Sequence, residues 1–283
     1  MAEGVIDVWD TETFDQALIR RLAAAANLIV DYYGRETAIF LEHELGRGPG
    51  RSILRPENAH AAAFMAFRDG LTGDLAERRI RAWHYTRLTD AEVAALRTEG
   101  PHLSTLERFR QRVDALTAAG ALTPAAAEAV WTASPFHSDQ HDARTGKFWM
   151  VSHPTAVTDG GVRPLMSHWG GEVANMWLDD GDLLSTLAAI GQARVIELAV
   201  PMAQTRHAFG ASEAVVATFG REHGAIPEKH AFDLYATSAL PADAILAVHT
   251  DGEARFADIA RGYPSGFIDV AISRWKELTG DDD

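Results

Sequence analysis

The sequence predicts an α+β fold, with a helical N-terminal region ahead of a strand-rich remainder. Two observations carry this. Apolar residues recur at helical spacing from residue 14 to 80, whereas after residue 145 short runs of β-branched and aromatic residues lie between Gly and Pro. Strands and helices do not alternate in the regular way that would build a doubly wound sheet. The division predicted is a helical region over 1–80 and a second region over 81–283.

In order along the chain, "FDQALIRRLAAAANLIVDYYGRETAIFLEHEL" and "RPENAHAAAFMAFRDGL" have helical apolar spacing and are separated by "GRGPGR", Gly46 to Arg51. That segment has the glycines of a phosphate loop, but no strand precedes it and no Lys-Ser/Thr ends it, so it reads as a plain loop. "IRAWHYTRL" is aromatic-rich and bounded by charges, which suits a buried strand. A helix start follows: Thr89 caps, Glu92 completes a capping box, Leu88 can staple against Val93, and Gly100 stops the helix. Ser104 with Glu107 suggests a second box opening "LERFRQRVDALTAAG", and Thr123-Pro124 opens "AAAEAVWTA" with proline at the first helical position. "GKFWMVSHP", "ARVIELAVP", "AFDLYATSA" and "AILAVHT" read as strands. Between the first two, Gly170-Gly171 marks a turn ahead of a helical stretch. No internal repeat is visible.

With 47% hydrophobic and 23% charged residues in 283, the composition is that of a globular protein. No window approaches the ~18 consecutive apolar residues that span a bilayer. The start "MAEGVIDVWDTETFDQ" does not read as a signal peptide, so a cytoplasmic protein without membrane partners is expected. The absence of cysteine removes disulfides, thiolate catalysis and sulfur-based zinc sites. A net charge of −14 argues against coating nucleic acid non-specifically. Residues 78–112 nevertheless hold eight arginines (Arg78, Arg79, Arg81, Arg87, Arg97, Arg108, Arg110 and Arg112) against four acids, a locally basic region that also reads as a solvated helical face.

His84 lies inside the first strand, where a histidine is ordinarily a core or edge residue. Its surroundings suggest more. A strand bearing His, then a Thr-capped helix, a Gly and Leu-Ser-Thr, Leu103 to Thr105, resembles the opening of ADP-ribosyltransferase domains, in the branch related to diphtheria toxin and the poly-ADP-ribose polymerases. In that branch the histidine, commonly in a His-Gly-Thr triplet, hydrogen-bonds an NAD ribose. Here the triplet is His84-Tyr85-Thr86. The residue after the histidine presents its backbone to the nicotinamide amide, so the Tyr85 side chain must point away. "GKFWMVSHP" is similar to the family's "G-x-Y-F-S" strand, which makes Phe148 and Trp149 the counterparts of the aromatic that lies against nicotinamide. "AFDLYATSALPADAILAV" looks like the closing strand pair, so the resemblance covers residues 81–250 loosely.

The resemblance implies a split β-sheet core with the helical N-terminal region packed on it. It further implies an NAD-dependent enzyme of the glycosyltransferase class that cleaves the nicotinamide–ribose bond. ADP-ribose would pass to a protein or nucleic-acid acceptor, as in toxins and phage-defence enzymes of this group. The residues expected to meet NAD are His84, Tyr85, Thr86, Arg87 (at the pyrophosphate), Phe148, Trp149, His168, Gly170 and Gly171. The chemistry needs a carboxylate to stabilise positive charge developing on the ribose. Asp233 lies on the strand whose family counterpart usually carries glutamate. Glu172 follows a Gly-Gly turn flanked by His168 and Trp169, and is preferred because "HWGGE" is a costly combination for an ordinary turn. Glu172 also reads as a helix first-turn acid, Ser104 as a cap, and Trp149 and Trp177 as core aromatics.

Two alternatives belong to other classes. A metal-dependent hydrolase would use "FHSDQHDA", with His137, Asp139, His141 and Asp142, joined by His153 and His168 if the fold brought them near. Ser134-Pro135 and Thr145-Gly146 around this segment suggest a loop, and no metal site is expected. A non-catalytic NAD-binding or interaction protein would keep the fold without the carboxylate.

Overall fold

A computed structural model of the chain describes residues 4–45 and 54–259. It is a mixed α/β fold built on one open sheet of six strands: β1 (Val5–Ile6), β2 (Arg79–Leu88), β3 (Phe148–Val151), β4 (Gln192–Pro201), β5 (Asp233–Ala236) and β6 (Ile245–Thr250). The order is β5-β3-β2-β4-β6, antiparallel throughout, with β1 added parallel to the start of β2. All four strand-rich runs after residue 145 form strands, and "IRAWHYTRL" forms β2. β1 was not anticipated. The "GRGPGR" segment lies outside the described residues.

β2 and β4 pair along their full length, from Arg79↔Pro201 to Leu88↔Gln192, and form the rigid centre of the sheet. Alternation then sorts their side chains onto two faces. Ile80, Ala82 and Leu88 of β2, with Ile196, Leu198 and Val200 of β4, enter the main core. That core is closed by α1 (Gln16–Ala24), α2 (Ala26–Ile39), α3 (Ala61–Ala76) and α11 (Ala208–Glu222). The helices of the N-terminal region therefore share one core with the strands. Close approach of α2 to α11 depends on Gly220, where a Cβ would lie 3.0 Å from Ile29. Trp83, Tyr85 and Val195 point the other way, onto α8 (Arg163–Ser167) and α12 (Ala254–Ile259).

Between β2 and β4 the chain builds a helical lobe with its own core of Phe109, Val113, Leu116, Val130, Trp169 and Leu187. That core is built from α5 (Leu106–Ala118), α6 (Pro124–Thr132), α9 (Glu172–Asn175) and α10 (Gly181–Ala189); α4 (Asp90–Glu99) sends Val93 into the main core instead, and α7 (His141–Arg144) buries no residue. The Thr89–Glu92 capping box is present, Gly100 ends α4, and Thr123 caps α6 ahead of Pro124. The expected box at Ser104 is not formed. Ser104 pairs its backbone with Lys147, and Thr105 caps α5 instead, accepting from Arg108 N–H at 3.2 Å. The segment expected to be a loop contains the short helix α7 and a 3₁₀ turn, Pro135–His137. Trp149 and Trp177 are not core aromatics: they are 40% and 51% exposed. No described helix is long and apolar enough to cross a membrane.

Candidate functional site

The sheet parts between β2 and β3. Only Trp83↔Val151 is paired between them, while β3 continues alongside β5 through four residue pairs. His84, the next residue of β2, sits at this parting. Its Nδ1 lies 2.7 Å from the carbonyl oxygen of Trp149, and Phe148 packs against its ring with centroids 4.5 Å apart. A carbonyl only accepts, so Nδ1 carries the proton and Nε2 presents a lone pair. Burial pushes the imidazole pKa from 6.5 down to about 4; the Trp149 bond opposes the change and the nearby Arg112 charge adds to it. The ring is neutral at physiological pH and can accept from a hydroxyl.

On the other side of β3, the Trp149 ring rests on Tyr235 at 4.6 Å and its Nε1 donates to the Ala143 carbonyl at 3.1 Å. His207 meets Tyr235 edge-on at 4.8 Å. Asp233, paired with Val151, has its carboxyl pushed up by burial, with His207 opposing.

The lobe contributes the turn from Trp169 to Glu172. Gly170 and Gly171 take φ of +80° and +57°, a region that disfavours side chains, and a Cβ on Gly170 would lie 2.6 Å from that of Ala174. The tight turn lets Trp169 be fully buried while Glu172, at the start of α9, remains half-exposed. Trp169 Nε1 donates to both oxygens of Glu92, at 2.9 and 3.1 Å. Arg112 Nε donates to the same carboxylate at 2.7 Å, and its guanidinium lies 4.7 Å above the Trp169 ring. Burial raises the Glu92 carboxyl pKa, but Arg112, the Thr89 N–H and the Trp169 indole outweigh burial and hold it below the usual range. Glu172 accepts from Arg144 Nη2 at 2.8 Å.

No family model, curated protein or solved structure matches the chain. The candidate site therefore stands on its geometry.

Of the residues expected to meet NAD, His84 and Thr86 share a face of β2 and Phe148 packs on the His84 ring, whereas Trp149 reaches His84 only through its carbonyl, its ring lying on the other side of β3 against Tyr235. Gly170, Gly171 and Glu172 connect to this group through α7, whose Ala143 holds Trp149 and whose Arg144 holds Glu172. Tyr85 points to the opposite face, its hydroxyl accepting from Thr155 N–H and donating to the Thr155 carbonyl. Arg87 shares that face and donates to the carbonyls of Ile190 and Met166. His168 belongs beside it, its pKa lowered by burial and by the Arg87 charge. Arg87 is thus placed away from His84. Arg112, which lies in the arginine-rich run but was not singled out there, is near enough for its charge to help lower the His84 pKa, while its guanidinium is held by Glu92 and Trp169. Its only sequence signal was that run, since its orientation depends on the distant Trp169.

His137 packs edge-on against Trp131 and His141 faces Asp142; among the described residues, no three His, Asp or Glu side chains form a group able to hold a metal. A cavity of about 100 Å³ lies elsewhere, between α2, α3 and α11. Two of its polar residues, Arg68 and Glu213, pair with each other at 3.1 Å.

Proposed function

We propose that the chain is an NAD-dependent ADP-ribosyltransferase acting at the parting of β2 and β3. The observation that carries the reading is His84, held neutral at the parting with Nε2 ready to accept from a ribose hydroxyl, its Nδ1 fixed by the Trp149 carbonyl and its ring packed against Phe148. Phe148 offers a ring face beside His84 to a flat nicotinamide ring, whereas the Trp149 ring lies on the other side of β3 against Tyr235. The family resemblance implies a split sheet, and the single residue pair joining β2 to β3 supports reading the parting in that way.

On this reading the glycosidic C–N bond breaks with its electron pair leaving on nicotinamide. The oxocarbenium-like ribose is then attacked at C1′ by an acceptor nucleophile, which gives up a proton. Glu172, aimed by Arg144 and following a turn too tight for side chains, is the preferred carboxylate to stabilise the positive charge. Asp233, at the β3–β5 edge, is the second choice. A macromolecular acceptor, and a role in toxicity or phage defence, remain part of the proposal. The metal-hydrolase reading finds no ligand group among the described residues.

The test is nicotinamide release from NAD. Glu172→Gln should lower turnover by about 10²- to 10³-fold with NAD still bound, and Asp233→Asn should be milder. If Asp233→Asn is silent in turnover and so is Glu172→Gln, the enzyme reading fails; if only Asp233→Asn is inactive, the strand residue is the catalytic one.

A further inference from the structure

Two guanidinium groups contact the turn Trp169–Glu172. Arg112, on α5, stacks on Trp169 at 4.7 Å and is fixed by Glu92. Arg144, on α7, bonds Glu172 at 2.8 Å and is fixed by Gln140 at 2.9 Å and the Met176 sulfur at 3.2 Å. Each keeps one solvent-shielded nitrogen without a hydrogen-bond partner: Nη2 of Arg112 and Nε of Arg144. Asn175 Nδ2, on α9 after the same turn, and Thr145 Oγ1, next to Arg144 in the chain, are also shielded and unpartnered. Folded proteins seldom leave buried donors unmet. Unmet donors on residues that contact or adjoin one glycine turn are the complement of a ligand that only accepts.

We infer that this turn carries an anion subsite, in which Arg112 and Arg144 receive the phosphate oxygens of a phosphate-bearing ligand. Phosphate suits the arrangement better than a neutral polar group, because its oxygens accept without donating and its geometry matches the planar guanidinium fork. Glu92 and Glu172 each pair with one nitrogen of these arginines, so the phosphate would be met by the nitrogens they leave unpartnered. The inference rests on the reading of the adjacent parting as a nucleotide site, and it extends that reading by assigning the pyrophosphate to the lobe rather than to Arg87.

The experiment is calorimetric titration of the full chain with inorganic pyrophosphate and, separately, with NAD. It compares wild type, Arg112→Met, Arg144→Met and, as a control on the same helix as Arg112, Arg110→Met. Pyrophosphate should bind wild type and the Arg110 variant alike, and bind about ten- to a hundredfold more weakly to the other two. Should either methionine variant fail to fold, Arg112→Lys or Arg144→Lys, which keeps the charge but loses the fork, takes its place and should also bind more weakly. Absence of pyrophosphate binding at millimolar concentration, or equal affinity in all variants, overturns the subsite even where NAD binds. Arginine-dependent pyrophosphate binding without NAD binding keeps the subsite and removes the NAD reading.

Discussion

Replacing His84 with Gln should remove a pH-dependent part of the protein's stability. Burial holds the folded imidazole at a pKa of about 4 against 6.5. Between those values the unfolded chain binds more protons than the folded one, so this contribution is complete above the unfolded pKa and is lost as pH falls through the window. At 1.36 kcal/mol per pH unit the displacement corresponds to ~3 kcal/mol. The ring is partly open to solvent, which reduces the figure to about 2 kcal/mol. Gln keeps a donor for the Trp149 carbonyl but does not titrate, while the carboxylates titrate alike in both proteins. Urea unfolding at about pH 4.5 and about pH 7.5 should therefore show wild type losing about 2 kcal/mol more than His84→Gln on acidification. Parallel losses, or an NMR titration of the ring with a midpoint near the ordinary histidine value, would refute the reasoning. The same state makes the ring an acceptor at neutral pH, so histidine titration should not alter NAD affinity there.

Other expectations follow from the local geometry. Arg87→Met should lower the melting temperature and leave NAD affinity unchanged, because Arg87 donates to the Ile190 and Met166 carbonyls on the face away from His84; weaker NAD binding by calorimetry in a folded variant would count against that placement. Thr105→Ala should cost ~1 kcal/mol in urea unfolding, the usual worth of a helix cap, whereas Ser104→Ala should cost little. The reverse order would restore Ser104 as the cap.

The parts of this fold that were legible in the sequence are those fixed by local rules. β2 shows in "IRAWHYTRL" because aromatic and charged residues bound a strand buried on both faces. The Thr89–Glu92 box and the Thr123–Pro124 start are contacts within one helical turn. Ser104 misled because two adjacent residues, Ser104 and Thr105, can each cap, and the choice is made by the distant Lys147 backbone. β1 has two residues and exists only because β2 pairs with it. Of the site, the family resemblance required Tyr85 to turn away from His84; strand alternation meets that requirement and also carries Arg87 to the far face. The parting of β2 from β3, and the stacking of Arg112 on Trp169, join segments far apart in the chain, and no local pattern announces either.

The central claim is that the parting of β2 and β3 is an NAD site anchored by His84. Calorimetric titration of NAD into wild type and His84→Ala, with circular dichroism to establish that both are folded, tests it most directly. The account predicts saturable binding to wild type and affinity about tenfold weaker in the variant, the scale of one lost hydrogen bond and its packing. No binding to wild type, or equal affinity in the two proteins, would contradict it.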